Sequence, residues 1–214
     1  MSDPQLAAYL LFTTLLVITP GSATALVVRN VLDGGRRQGM ATAVGLAVAN
    51  STYAILSALG LAAVFARSPR AFIALSAVGA AYLAFLGLRS LALAWRDRPS
   101  AFAESIGRTP SDGGAHAVRT GVSQGVAANL LSPAIATFYL AVVPSFLDGA
   151  PLASTRYAFF AALHVTMAFT YHSAWVVGLH AMRRFWSRPG PRRALETLAG
   201  LALLLLAARV AGVL

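Results

Sequence analysis

Six long apolar runs divide the chain, at about 5–28, 39–65, 70–95, 120–147, 156–182 and 193–213. Each reaches the roughly 20 residues that a helix needs to cross the hydrocarbon of a bilayer. Polar positions fall mostly between the runs. The one sizeable gap, 96–119, mixes charges with Pro99, Pro110, Gly113 and Gly114, the composition of a surface connector. The pattern predicts an all-α integral membrane protein of six transmembrane helices with no separate soluble domain. Residues 1–95 form a first set of three helices, 96–119 a cytoplasmic connector and 120–214 a second set.

Two of the runs carry a fault. In "LLVITPGSATALVV" (15–28), Thr19-Pro20-Gly21-Ser22 interrupts an otherwise helical stretch. Proline lacks an N–H and glycine is a poor helix former. In the fourth run "SPAIAT" (132–137) repeats the order of "TPGSAT" (19–24): hydroxyl, Pro, two residues, Ala, Thr. The third runs of the two sets echo each other as well. "GAAYLAFLGLRS" (79–90) and "GLALLLLAARV" (200–210) each set a glycine before an apolar stretch and a late arginine. Three is odd, so a second set of three spans enters the bilayer upside down relative to the first. The chain therefore reads as two inverted three-helix repeats with proline-broken first and fourth helices. Such broken helices point to a transport site.

Pro20 frees the carbonyl of Leu16, Pro133 that of Asn129 and Pro144 that of Leu140. Such carbonyls are tolerated in hydrocarbon only inside protein or along a wet cavity. They suit an ammonium group, whereas the N-terminus of the following half-helix suits a carboxylate. Thr19, Pro20, Gly21, Ser22 and Thr24, with Ser132, Pro133 and Thr137, are the candidate walls of a site for a zwitterion, and Asn129 sits at a freed carbonyl. Asn50 reads either as a substrate ligand or as a hydrogen bond between helices. The competing reading of each break is a plain proline kink.

Composition supports the bilayer. The chain has 214 residues, 57% hydrophobic and only 11% charged, against about 25% charged in soluble domains. Its net charge of +10 comes from arginine alone. Twelve arginines lie in the connectors 1–2, 3–4 and 5–6, among them Arg29, Arg36, Arg37, Arg119 and Arg183. Three (Arg67, Arg70 and Arg156) lie on the other side. This asymmetry assigns the first group to the cytoplasm and both termini to the outside. It also explains the basicity without nucleic acid. Gly35, Arg36, Arg37 and Gly39 form a tight basic turn, read as a topology signal or as a gate that draws carboxylates. Ala23-Thr24-Ala25 resembles a cleavage site, but "MSDPQ" has no basic residue before it, so no signal peptide is expected.

The chain has no cysteine, which excludes disulfides and thiolate metal sites. His164, His172 and His180 recur eight apart in the fifth run, a spacing that spirals around a helix rather than stacking on one face. Neither a metal site nor any cofactor is expected. His172 is a proton-carrier candidate, since histidine titrates near neutrality; a structural histidine is the competing reading. No nucleophile–base set lies in the runs, so no enzyme activity is expected. Gly35-x3-Gly39 and Gly121-x3-Gly125 allow close helix packing, within one protomer or in a homodimer.

"ITPGSATALVVRNVLDGGRRQGMATAVG" (18–45) and "NLLSPAIATFYLAVVPSF" (129–146) resemble the two signature segments of the LysE/RhtB-type amino-acid exporters. The "GLRSLALAW" end of the third run (87–95) fits the same family. The resemblance implies proton-driven efflux of amino acids or related metabolites across a bacterial cytoplasmic membrane. Ser22 stands where that pattern has a second proline, Ser132 replaces an asparagine and Ala134 a frequent lysine. Asn50 and His172 stand at positions the family often fills with acidic residues. With no Asp or Glu deep in a run, a neutral or zwitterionic substrate is expected. The alternative is a permease for another small solute or a metal ion on the same fold.

Overall fold

The computed structural model describes residues 4–18, 21–60, 68–95, 113–147, 151–152, 154–182, 185 and 189–212. Among them all regular structure is helical: α1 (Pro4–Ile18), α2 (Ser22–Ala58), α3 (Pro69–Ala94), α4 (Gly113–Leu130), α5 (Pro133–Ser145), α6 (Thr155–Ala181) and α7 (Pro189–Val210). The third and fifth apolar runs become α3 and α6 with almost unchanged bounds. Ser154 caps α6 by accepting from the Tyr157 amide. The first run is covered by α1 and the start of α2, and the fourth by α4 and α5.

Helix α2 departs most from the sequence expectation. Residues 29–34, assigned to a connector, continue the helix, and the chain turns at Gly35 alone (φ 70°, ψ −167°). Two contacts show that α2 folds back there. Asn30 Nδ2 donates to Thr42 Oγ1 at 2.8 Å, whereas residues twelve apart on a straight helix are separated by about 18 Å. A Cβ on Gly39 would stand 2.2 Å from Val31 Cγ2. α2 is thus a helical hairpin with a first arm, Ser22–Gly34, and a second arm, Arg36–Ala58.

The first arm lies at the centre. Every residue from Thr24 to Leu32 is buried. Ala25 and Leu26 pack with Leu83 and Leu86 of α3, Ala128 of α4 and Leu203 of α7. Val27, Val28, Val31 and Leu32 pack with Leu46 of the second arm, Val176 and Leu179 of α6 and Ala199 of α7. A second, more aromatic core joins Tyr9 of α1, Tyr53 of α2, Phe138 and Tyr139 of α5 and Phe160 of α6. Within it the Tyr9 hydroxyl donates to the Phe160 carbonyl at 2.6 Å, and Tyr139 bonds His164 Nδ1 at 2.7 Å.

Glycines set the closest helix crossings. A Cβ on Gly125 would stand 2.4 Å from the Thr42 carbonyl oxygen, and one on Gly45 2.3 Å from that of Val122. The Gly121-x3-Gly125 pair therefore packs α4 on the second arm of α2 within one protomer. Gly87 and Gly200 bring α3 and α7 together in the same way. The outward faces carry Leu11, Ile55, Phe85, Leu88, Leu198 and Leu205, all exposed. Such continuous greasy cover suits lipid rather than water. Among the described residues, α2 by itself and α4 with α5 together are long and apolar enough to cross a membrane.

Pro144 has a milder effect than a break. Its ring cannot sit against the Leu140 carbonyl four residues back. The chain answers with a wide turn over Phe138–Val142, in which the Val143 amide reaches the Phe138 carbonyl five residues back.

Gly35→Ala is expected to lower stability by about 1–3 kcal/mol, because only glycine adopts that backbone conformation without strain; no neighbour lies within 4 Å of the added methyl. Gly125→Ala should cost about as much through overpacking against backbone. Gly178→Ala, also without a neighbour within 4 Å, should cost nothing. Thermal unfolding of the purified variants in detergent checks all three.

Candidate functional site

The two helix interruptions fall at one depth in the molecule. α1 ends at Ile18 and α2 begins at Ser22, with Gly21 extended (φ −131°, ψ −168°) as its N-cap residue. Thr19 and Pro20 lie outside the described residues. Ser22 is thirteen residues before the Gly35 turn, so about 20 Å along the first arm. Asn50 is fifteen residues after that turn, about 22 Å along the antiparallel second arm. At Asn50 the second interruption begins: Asn129 Nδ2 donates to Asn50 Oδ1 at 2.9 Å and to the Leu46 carbonyl at 3.2 Å. Both asparagines are buried.

The second interruption accounts for its own backbone groups. The carbonyl of Ala127 accepts from the Leu131 amide and that of Asn129 from the Ser132 amide. The Asn129 carbonyl that Pro133 cannot reach is therefore occupied by a turn. Ser132 is extended (φ −91°, ψ 111°), and its hydroxyl caps α5 by accepting from the Ile135 amide at 3.4 Å, with Pro133 at the first position of the helix. The axis bends by 60° between α4 and α5. Thr137 is exposed and donates back to the Pro133 carbonyl at 2.8 Å. It lies with Pro133, Phe12 and Leu16 in a groove of about 370 Å³ between α1 and α5.

Two tyrosines cap the ends that the interruptions leave. The Tyr53 hydroxyl, on the second arm of α2, donates to the carbonyl of Leu130, the last residue of α4, at 2.7 Å. The Tyr171 hydroxyl, on α6, donates to the carbonyl of Ile18, the last residue of α1, at 3.3 Å. Each half of the chain thus supplies the donor for the other half's interruption.

Of the remaining sequence candidates, Ser22 is half-buried and Thr24 buried, both in the first turn of α2. Gly35, Arg36, Arg37 and Gly39 gather at the hairpin turn, with both arginines exposed; Arg37 extends towards Gly114 at the start of α4. His172 is buried in α6 with its ring 5.4 Å from that of Tyr171. His164 is the more deeply placed histidine and is committed to Tyr139.

The structure corrects the reading of one arginine. Arg29 does not lie in a connector: it is 1% exposed, inside the first arm of α2. Its Nη1 donates to Asn30 Oδ1 at 3.2 Å and to Gln124 Oε1 at 3.3 Å, and Asp33 Oδ2 lies 3.9 Å from Nη2. Asn30 Nδ2 in turn holds Gln124 Oε1 at 2.9 Å, while Thr42 bonds the Gln38 carbonyl. Arg29 and Asp33 are spaced i, i+4, the one local sign in "TALVVRNVLDGG" that the helix runs on and that the charge is turned inward.

A protein-family model described as LysE type translocator matches residues 14–212. The Bacillus subtilis membrane protein YrhP is 31% identical over 147 residues, covering 67% of this chain and 68% of its own. A Vibrio cholerae membrane protein is 30% identical, covering 66% of this chain and 64% of its own. A homoserine/homoserine lactone efflux protein of Salmonella typhimurium is 31% identical over 140 residues, 65% of this chain and 63% of that one. The chain thus spans less than two thirds of the length of the last two relatives. No solved structure matches it. On the match over nearly its whole length, the chain belongs to the LysE type translocator family and is a membrane protein.

Proposed function

We propose that this protein is a secondary-active exporter of neutral or zwitterionic amino acids, or closely related metabolites. In this reading it works in the cytoplasmic membrane of a bacterium, driven by the proton gradient, with both termini outside. The helices form six spans in two inverted repeats. The first span comprises α1 and the first arm of α2, and the fourth comprises α4 and α5. Substrate binds between the two breaks, at the level of Ser22 and Asn50. Its carboxylate meets a half-helix N-terminus with Ser22 or Thr24, and its ammonium meets a carbonyl near Leu16. His172 carries the proton. Membership of a translocator family supports transport rather than catalysis.

The observation that carries the reading is the pair of interruptions at one depth, each with its last carbonyl held by a tyrosine of the opposite half. Irregular backbone at membrane depth is tolerated where it is buried in protein or lines a cavity. Two such places at one depth are the usual ground of a midplane site. The efflux protein of Salmonella typhimurium, named for homoserine and homoserine lactone, supports the substrate class.

Everted vesicles containing the protein are expected to accumulate at least one member of an amino-acid panel when a proton gradient is imposed. Well-inserted protein that moves none of them defeats the reading. The Pro20→Ala, Pro133→Ala double variant should lose most of that uptake; full uptake would reduce the breaks to kinks. Tyr53→Phe should slow uptake about fivefold, the equivalent of about 1 kcal/mol for one lost hydrogen bond. Tyr171→Phe, whose contact is longer, should slow it less, in the same assay.

A further inference from the structure

Arg29 is a buried cation with three of its five N–H donors unused among the described residues. Nη1 is engaged by Asn30 and Gln124. Nε and Nη2 make no hydrogen bond among the described residues. These two nitrogens share one edge of the planar guanidinium, the edge that grips a carboxylate through two parallel N–H···O bonds. Asp33 stands closest to that role, but its Oδ2 is 3.9 Å from Nη2, beyond hydrogen-bond reach, and its side chain is 34% exposed. Arg89 of α3 and Glu196 of α7 are the other charged groups within electrostatic range. No atom of either bonds the free edge.

A cation so placed is costly unless an anion meets it. The surroundings hold the edge in readiness. Asn30 is anchored by Thr42 and by Gln124, and both amide oxygens lie on the Nη1 side. Arg29 is six residues before the Gly35 turn, about 9 Å along the first arm. It therefore stands between the exposed Arg36–Arg37 turn and the level of Ser22 and Asn50.

We propose that Arg29 is a carboxylate-docking residue on the access route to the central site, and that Asp33 is the internal carboxylate a substrate displaces. The assignment rests on the exporter reading and sharpens its substrate class. The docked group is a monocarboxylate, so an amino acid engages Arg29 while its lactone or amide does not.

Homoserine and homoserine lactone differ in that group, and both are tested for binding to the purified protein in detergent and for uptake into everted vesicles. Arg29→Gln should weaken homoserine binding about tenfold or more and leave the lactone within about twofold of wild type. Arg29→Lys, which keeps the charge and loses the planar edge, should fall between. Asp33→Asn, at a partly exposed position, removes the competitor and should tighten homoserine binding several-fold. Equal weakening of both compounds by Arg29→Gln, in protein that elutes as wild type does, makes Arg29 a structural residue and overturns the assignment. So does unchanged homoserine binding, and weaker binding by Asp33→Asn overturns the role of Asp33. Homoserine binding that depends on Arg29, with no member of the amino-acid panel taken up, defeats the exporter reading and leaves the docking site standing. Absence of homoserine binding to the wild type overturns the docking assignment and leaves the exporter reading to the amino-acid panel.

Discussion

The first arm of α2 is buried on every side, and the rest of the fold is arranged to make that tolerable. A helix enclosed by protein must be apolar all round or must have each polar group met by a neighbour. Thr24–Leu32 is mostly apolar, and α3, α4, α6, α7 and the second arm of α2 all contribute side chains to enclose it. Beyond Thr24 at its start, the polar residues Arg29 and Asn30 lie side by side, and Gln124 of α4 meets Asn30 and the Nη1 of Arg29. The enclosure also depends on Gly35, which returns the chain within one residue, so that the second arm can cover the first.

Much of this architecture is legible in the sequence because apolar run length is a local property. The bounds of α3 and α6 follow from it directly. The start of α2 is less so. The charges of Arg29 and Asp33 read as a loop, although a buried helix can hold them when partners come from elsewhere in the chain. Those partners are far away: Gln124 is 95 residues from Arg29, and Leu130 is 77 from Tyr53. No local pattern encodes such pairings, because they depend on how each helix is rotated about its axis. The same holds for glycine. The spacing of Gly121 and Gly125 announces a close approach, and only the packed structure says that the second arm of α2 is what approaches.

Polar residues in the apolar runs divide into two kinds. Asn50, Asn129, Tyr53, Tyr139 and His164 are paired side chain to side chain or to a carbonyl, and they fix α4 against α2 and α5 against α6. In a membrane such bonds stand in for the hydrophobic drive that water supplies to a soluble core. Arg29 is of the other kind: its Nη1 is bonded, and its Nε and Nη2 have no hydrogen-bond partner among the described residues. Arginine counting takes an arginine between two apolar runs as an orientation signal, and Arg29 is the case where that count and the packing part company.

The crossing of α2 and α4 has a mechanical side. Where Gly45, Gly121 and Gly125 meet the opposite helix, backbone rests on backbone. Such a joint has no side-chain rotamers to yield, so it resists rotation and sliding as a riveted lap joint does. α4 and the second arm of α2 then form a stiff frame. The compliance needed for any large rearrangement must come from elsewhere, where softer side chains separate the helices.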